Sequence, residues 1–200
     1  MTRARDAETA LRLGADAIGF VFAPSPRKVS PAQARSILKD VGPVAFSVGV
    51  FVNASIETIL RTAEMCRLSA IQLHGDETPA FARGIASLKV FKAFRYQAGF
   101  SVGTMNRYPA DAYFIENGGS VLRGGSGRTW DWKALKGSAI QKPFFVSGGL
   151  HPENVRQAIR TLRLYGVDVS SGVESRPGIK CARRLKAFIQ NVRSATEREI

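Results

Sequence analysis

Short apolar runs alternate with stretches of helical spacing along the whole of this 200-residue chain. Seven runs are rich in β-branched or aromatic residues, and they cover residues 17–22, 46–52, 70–73, 88–94, 112–116, 144–147 and 167–170. Their hydrophobicity is mostly continuous, which is typical of parallel strands that are covered on both faces. A strand and its helix recur every ~25–30 residues, as right-handed βαβ crossovers require. The sequence therefore predicts an α/β fold with a parallel sheet.

Eight helical stretches accompany these runs, and one of them precedes the first run. Ser30 and Pro31 open a helix with a capping box, and Asp76 and Glu77 are expected to open another. The last helix is predicted over residues 180–193. Eight helices and seven strands fit a single (β/α)8 TIM barrel domain over residues 1–200, with strand 1 missing from this chain. The alternative is an open doubly wound sheet, which more often carries a GxGxxG turn that is absent here.

Charge and composition narrow the classes of function. The formal net charge is +13, but the 29 basic residues are spread along the chain without a nucleic-acid motif, so we expect no nucleic-acid partner. No apolar run approaches the ~20 residues of a membrane span, and Met1 leads into Thr2 and Arg3 without a signal peptide. Cys66 and Cys181 have neither a disulfide nor a metal-binding spacing. The predicted compartment is the reducing cytoplasm, and no metal is expected.

Two glycine turns, each directly after a short apolar run, are the first candidate binding site. Their residues are Ser147, Gly148, Gly149, Ser170, Ser171 and Gly172. A helix-like stretch follows each turn, and small residues before a helix make backbone N–H groups available to a phosphate. Many (β/α)8 barrels bind phosphate with the loops after their last two strands. The pattern predicts a phosphate site, and its alternative is an ordinary connection between strand and helix.

Blocks of sequence along nearly the whole chain resemble the phosphoribosylanthranilate isomerases, a family of tryptophan biosynthesis. These blocks cover residues 14–22, 25–31, 48–53, 71–77, 124–132, 147–155, 167–174 and 177–178. Their order and spacing make the resemblance specific, although each block alone is weak. The resemblance implies that a phosphorylated sugar substrate, N-(5'-phosphoribosyl)anthranilate, rearranges to an aminoketose by general acid and base catalysis without a cofactor.

The resemblance also implies the acid and the base. The family's acid is an aspartate at the end of strand 6, where this chain has Glu116, and Asn117 is the competing alignment. We favour Glu116 because it directly ends the strand, where barrel chemistry is located; a solvated loop carboxylate is the alternative. The family's base is a cysteine on strand 1, and Met1, Thr2 and Arg3 resemble only the tail of that motif. We therefore expect the chain as written to isomerise the substrate poorly.

Three further side chains are candidates for contact with the substrate. Arg27 follows a strand, and the resemblance implies that its planar guanidinium binds the anthranilate carboxylate. Asp168 lies inside a buried-looking run and is expected to bind substrate hydroxyls, since buried carboxylates are rarely idle. His74 ends a strand near the same rim. The respective alternatives are a surface arginine, a structurally hydrogen-bonded aspartate and a structural histidine.

Other functions stay open at this stage. The main alternative is a non-catalytic phosphosugar-binding protein of the same fold, and a sibling isomerase of histidine synthesis would need an aspartate at the end of strand 1. Residues 124–127 are glycine-rich and are expected to form either a mobile loop over the substrate or a plain linker. A barrel without strand 1 has two unpaired strand edges, so we expect self-association through them.

Overall fold

The computed structural model describes residues 1–43, 45–85, 87–117 and 132–196. These residues contain seven α-helices, nine β-strands and two 3-10 helices. In chain order the elements are α1 (Ala4–Leu13), β1 (Ala17–Val21), α2 (Pro31–Val41), β2 (Phe46–Phe51), α3 (Ile56–Cys66), β3 (Ala70–Leu73), α4 (Pro79–Arg83), β4 (Val90–Tyr96), α5 (Val102–Asn106), β5 (Ala112–Asn117), a 3-10 helix (Trp132–Leu135), β6 (Phe144–Val146), α6 (Val155–Thr161), β7 (Gly166–Val167), a second 3-10 helix (Ser171–Val173), β8 (Glu174–Arg176), β9 (Ile179–Lys180) and α7 (Ala182–Thr196).

The first seven strands form one sheet in the order β1-β2-β3-β4-β5-β6-β7. Pairing is parallel from β1 to β4 and from β5 to β7. The register places Ala17 opposite Phe46 and Tyr113 opposite Phe144. Each of the seven apolar runs overlaps one strand of this sheet, so the predicted α/β fold with a parallel sheet is confirmed. β8 and β9 form a separate two-stranded sheet that the sequence pattern did not predict.

Side-chain caps determine where the helices begin. The Ser30 hydroxyl accepts the Gln33 N–H at 3.1 Å, and the Gln33 side chain accepts the Ser30 N–H at 2.8 Å, so the predicted capping box is confirmed. α4 is capped by Thr78, whose hydroxyl accepts a backbone N–H at its first turn. The expected start at Asp76 and Glu77 is wrong, because the Glu77 carboxylate accepts the Asn53 and Gly75 N–H groups, which lie before α4.

Three other expectations differ from the structure. β7 ends at Val167, so most of the expected strand 167–170 lies beyond it. α7 begins at Ala182, two residues later than predicted, because β8 and β9 occupy the preceding residues. Between β5 and β6, the described residues 132–143 hold a 3-10 helix and no α-helix, whereas residues 118–131, with the predicted 124–127 loop, lie outside the described residues. The described part of the chain thus has seven α-helices where eight were predicted.

The contacts divide the chain into two compact units. The first unit comprises Met1–Lys92, Pro109–Asp111 and Pro177–Ile179. In it, α2 lies against both α1 and α3, and β3 is buried along its whole length. Burial on both faces explains why the β3 sequence is continuously apolar or uncharged.

The second unit comprises Ala93–Tyr108, Ala112–Arg176 and the residues from Lys180 onwards. β5 is buried over five of its six residues, and α6 packs against α7. The fully buried Tyr113 and Ile115 on β5 and Val146 on β6 form part of its core. Among the helices of the described ranges, none combines the length and apolarity needed to traverse a bilayer.

Candidate functional site

Glu116 lies at the penultimate position of β5 in the second unit, and only 5% of its surface is exposed. Arg95 occupies the penultimate position of β4, the neighbouring strand of the sheet. Its Nε atom is 3.8 Å from the Glu116 Oε1 atom, an ion pair that is too long for a hydrogen bond. The strand end therefore presents a shielded carboxyl group beside a permanent cation.

The first glycine turn packs on the backbone of that carboxyl group. The Ser147 N–H donates to the Ile115 carbonyl at 2.9 Å, which carries the pairing of β6 with β5 past Val146. Gly148 and Gly149 then take φ values of +76° and +74°, in the left-handed region that favours glycine. A Cβ atom on Gly148 would lie 3.2 Å from the Asn117 N atom and 3.4 Å from the Glu116 Cβ atom. The turn at Gly148 thus lies in direct contact with Glu116.

Asn154 holds this turn in place. Its Nδ2 atom donates to the Gly149 carbonyl at 2.9 Å, and its Oδ1 atom accepts the His151 N–H at 2.8 Å. Within the described residues, the N–H groups of Gly148 and Gly149 make no hydrogen bond. A rigid turn with two such donors can bind an anion.

The second glycine turn lies against the first. A Cβ atom on Gly172 would overlap the Leu150 carbonyl oxygen and lie 2.9 Å from its carbon, so only glycine permits the contact. The turn leads into the short 3-10 helix and then β8, and α6 begins only at Val155. The expectation that a helix-like stretch follows each turn therefore holds for the first turn, which α6 follows, and is wrong for the second, which a 3-10 turn and β8 follow.

The Lys180 side chain holds the second turn through hydrogen bonds that the sequence pattern does not predict. Its Nζ atom donates to the Ser170 carbonyl at 2.9 Å and to the Glu174 Oε1 atom at 3.2 Å. The Lys180 and Glu174 side chains have only 9% and 4% of their surface exposed. Arg184 donates to the Glu174 carbonyl from the first turns of α7. The signal in the sequence is a lysine soon after Pro177 and Gly178, but the helical pattern predicts Lys180 at the start of the last helix, whereas it lies in β9.

Asp168 follows β7, and its N–H donates to the Val146 carbonyl at 3.0 Å. The residue is exposed, so the expectation that it lies inside a buried strand is wrong. Asp168 is therefore an exposed residue directly after the last residue of β7. The second unit therefore holds Glu116, Asp168 and both glycine turns.

The first unit holds the other two candidates. Arg27 is half-buried in the loop after β1, where its N–H donates to the Ser25 hydroxyl at 3.1 Å. His74 is half-buried directly after β3, and its N–H donates to the Phe51 carbonyl at 2.8 Å. The His74 Nδ1 atom lies 3.1 Å from the Gln72 amide nitrogen. With Gln72 as the donor, a neutral His74 ring carries its proton on Nε2.

A buried ion pair that the sequence pattern does not predict supports the loop after His74. The Lys92 Nζ atom donates to the Glu77 Oε2 atom at 2.8 Å and to the Gly75 carbonyl at 2.7 Å. Burial by itself would raise the pKa of Glu77. The hydrogen bond and charge of Lys92, together with the Asn53 N–H, outweigh burial and hold that pKa below its ordinary value.

The comparisons with known proteins point to one family. The sequence matches the family model described as N-(5'phosphoribosyl)anthranilate (PRA) isomerase over residues 1–191. It is 41% identical over 191 residues to the N-(5'-phosphoribosyl)anthranilate isomerase of Pelobacter propionicus, and this match covers 95% of the chain and 91% of that protein.

Solved structures agree with the sequence match. The crystal structure of phosphoribosyl anthranilate isomerase from Thermotoga maritima has a TM-score of 0.90 at 38% identity, covering 97% of this chain and 96% of that one. A structure of such an isomerase with reduced 1-(o-carboxyphenylamino)-1-deoxyribulose 5-phosphate has a TM-score of 0.87 at 38% identity, covering 97% and 95%. The chain therefore belongs to the N-(5'-phosphoribosyl)anthranilate isomerase family.

Proposed function

We propose that this protein isomerises N-(5'-phosphoribosyl)anthranilate to 1-(2-carboxyphenylamino)-1-deoxyribulose 5-phosphate in tryptophan biosynthesis. The contact between Gly148 and Glu116 carries the proposal, because it sets an anion-binding turn beside a buried carboxyl group in a chain of this family. A relative has been crystallised with the reduced form of this product, which supports a phosphorylated sugar as the ligand. The reaction is an internal rearrangement, and we propose that it uses no cofactor.

Glu116 is the proposed general acid. Its proton passes to the ribose ring oxygen, the bond from C1 to that oxygen breaks, and the nitrogen lone pair forms a C=N bond to C1. A base then removes the proton from C2, and the resulting enolamine ketonises. The family resemblance assigns the base to a cysteine on the first strand. Cys66 on α3 and Cys181 between β9 and α7 lie on no strand of the seven-stranded sheet, which argues against either as the base.

Binding of the substrate is divided among named groups. Both glycine turns bind the 5'-phosphate through their N–H groups and through the hydroxyls of Ser147, Ser170 and Ser171. Asp168, exposed at the end of β7, accepts hydrogen bonds from ribose hydroxyls. Arg27 binds the anthranilate carboxylate, for which a planar guanidinium is suited. His74 contacts the substrate with its Nε2 atom.

The seven strands correspond, in this proposal, to strands 2–8 of a (β/α)8 barrel. Arg3 is extended, and the Met1 amino group donates to the Gly19 carbonyl in β1, as a strand beside β1 would. The Thr2 hydroxyl donates to the Gly178 carbonyl. Four further statements stay predictions: that the chain is a single domain, that it is cytoplasmic, that the chain as written turns over its substrate poorly, and that it self-associates through strand edges.

The decisive experiment is chromatographic separation of substrate and product after incubation with the chain and with a strand-restored version, in which a first strand carrying a cysteine is added before Met1, because the chain as written is expected to turn over poorly. In the strand-restored version, Glu116→Gln should lower kcat by ~10²–10⁴-fold, because a positioned acid contributes that much to a proton transfer. Calorimetry with the reduced product should give an affinity within a few-fold of the parent. Glu57→Gln, an exposed glutamate on α3, is the matched control and should leave kcat unchanged.

Each alternative has its own outcome. Full turnover by Glu116→Gln would refute Glu116 as the acid and favour Asn117 at that position. Tight binding of the reduced product by the strand-restored version without turnover would favour the non-catalytic phosphosugar-binding protein.

A further inference from the structure

Arg95 is half-buried, and one of its hydrogen-bond donors has no acceptor among the described residues. The side chain keeps 30% of its surface exposed, and its Nε atom faces Glu116 at 3.8 Å. Its Nη2 atom is buried, and no hydrogen-bond acceptor for it is found in the part of the chain that the structure describes. None of the roles given above uses this residue.

An orphaned guanidinium N–H needs a physical reason. The group carries its charge at any physiological pH and has five donors that water would otherwise satisfy. A buried donor without an acceptor loses its hydration, so native proteins rarely keep one. A bound ligand that brings its own oxygen atom removes this penalty. The orphan therefore points to an acceptor on a ligand.

The position of Arg95 indicates which oxygen that is. Its strand neighbour Glu116 is the proposed acid, and Glu116 in turn touches the turn at Gly148. A substrate with its phosphate on that turn and its ring oxygen at Glu116 brings the ribose between them to the end of β4. The ribose hydroxyls are then the polar groups of the substrate at the end of β4 that still need a hydrogen-bond partner, since the glycine turns supply the donors for the phosphate.

We propose that Arg95 contacts the substrate, an inference that rests on the proposed function. The Nη2 atom donates to a ribose hydroxyl oxygen, and the guanidinium charge stabilises the carboxylate that Glu116 becomes. When the Glu116 proton moves to the ring oxygen, the C1–O bond breaks with its electron pair going to oxygen. The new negative charge on Glu116 then lies beside the Arg95 cation. Arg95 thus acts in both binding and turnover.

The test uses Arg95→Met, Arg95→Lys and, as the matched control, Arg160→Met on the exposed surface of α6. Arg95→Met should lower kcat/KM by about 10- to 100-fold, the range expected for one hydrogen bond to a charged group. Arg95→Lys keeps the positive charge but loses the planar, two-pronged set of N–H donors. Relative to Arg95→Met, kcat should therefore recover more than KM does. Arg160→Met should match the parent.

Calorimetry separates substrate contact from a merely structural role. Affinity for the reduced product should fall about 10-fold in Arg95→Met, while affinity for inorganic phosphate should stay at the parental value. Equal losses for both probes, or a kcat/KM within 2-fold of the parent, would overturn the inference. If Arg95→Met does not fold, the same two titrations on Arg95→Lys decide. A strand-restored version without turnover would instead overturn the proposed function, and this inference with it.

Discussion

Glu77→Gln is expected to destabilise the first unit strongly, because it removes one charge from a buried pair. The Glu77 and Lys92 side chains are only 2% and 5% exposed, and their charged atoms are 2.8 Å apart. After the substitution, the Lys92 ammonium group stays buried and keeps its hydrogen bond to the Gly75 carbonyl, but it loses its counter-charge. The cost of an uncompensated charge thus falls on Lys92.

The size of the effect follows from this geometry. Breaking a buried pair by removing one partner costs about 3–5 kcal/mol of unfolding free energy. At about 2–4 °C of Tm for each kcal/mol in a domain of this size, Tm should fall by roughly 6–20 °C. Lys92→Met should cost a similar amount of unfolding free energy, because it leaves the buried Glu77 carboxylate without its counter-charge. The double variant removes both charges and leaves an amide oxygen for the Asn53 N–H, so it should recover most of the loss.

Chemical denaturation of the parent, both single variants and the double variant completes a thermodynamic cycle. The coupling free energy between the two substitutions should exceed about 1 kcal/mol, within the range measured for residues in contact. Two costs that simply add would refute the reasoning, since they would mean that neither charge depends on the other. A loss below 1 kcal/mol in Glu77→Gln would refute it as well.

Two further predictions concern acid and the first glycine turn. The lowered pKa of Glu77 makes its contribution to stability complete above its ordinary value of 4.5 and lost as pH falls through the lowered pKa. Denaturation between pH 6 and 2 should therefore show a steeper loss in the parent than in the double variant, and equal slopes would contradict this. Gly148→Ala should weaken inorganic phosphate binding in calorimetry and lower Tm, because its φ of +76° costs about 1–2 kcal/mol and its Cβ meets Asn117. Gly137→Ala has the same φ but open space around its Cβ, so it should show only the backbone cost, and equal phosphate affinities would count against the turn as the site.

The strands were predictable because their signal is local. Each run of apolar residues is long enough to be read from its own letters, and the capping box at Ser30 uses only four consecutive residues. The start of α4 was misread because Glu77 has the composition of a helix N-terminus. Its partner Lys92 lies fifteen residues further along the chain, and no local pattern announces such a pair. β8 and β9 are two to three residues each, too short to show any periodicity.

The candidate site also contains residues with a local sequence signal and contacts that depend on distant residues. Glu116 and the first glycine turn come at the ends of apolar runs, so their place at strand ends could be predicted, whereas the second turn begins three residues after β7 ends. Arg95 was missed by one residue, because the predicted run stopped at Phe94 whereas β4 continues to Tyr96. The contact between Gly172 and Leu150 joins loops that are separated by a complete helix, and it depends on the tertiary fold.

Backbone contacts, and not long side chains, set the distance between the proposed acid and the proposed phosphate site. Gly172 permits an approach to Leu150 that a Cβ atom would prevent, and a Cβ atom on Gly148 would crowd the Asn117 N atom at 3.2 Å beside Glu116. Such contacts leave little freedom for the phosphate to move relative to the carboxyl group. Proton transfer is efficient only when the reacting groups are held within hydrogen-bond reach, and a displacement of about 1 Å can cost 10²-fold in rate. We therefore predict that substitutions at Gly148 and Gly172 lower turnover as well as phosphate affinity, because in the proposed site these glycines fix where the ring oxygen lies when the phosphate is bound.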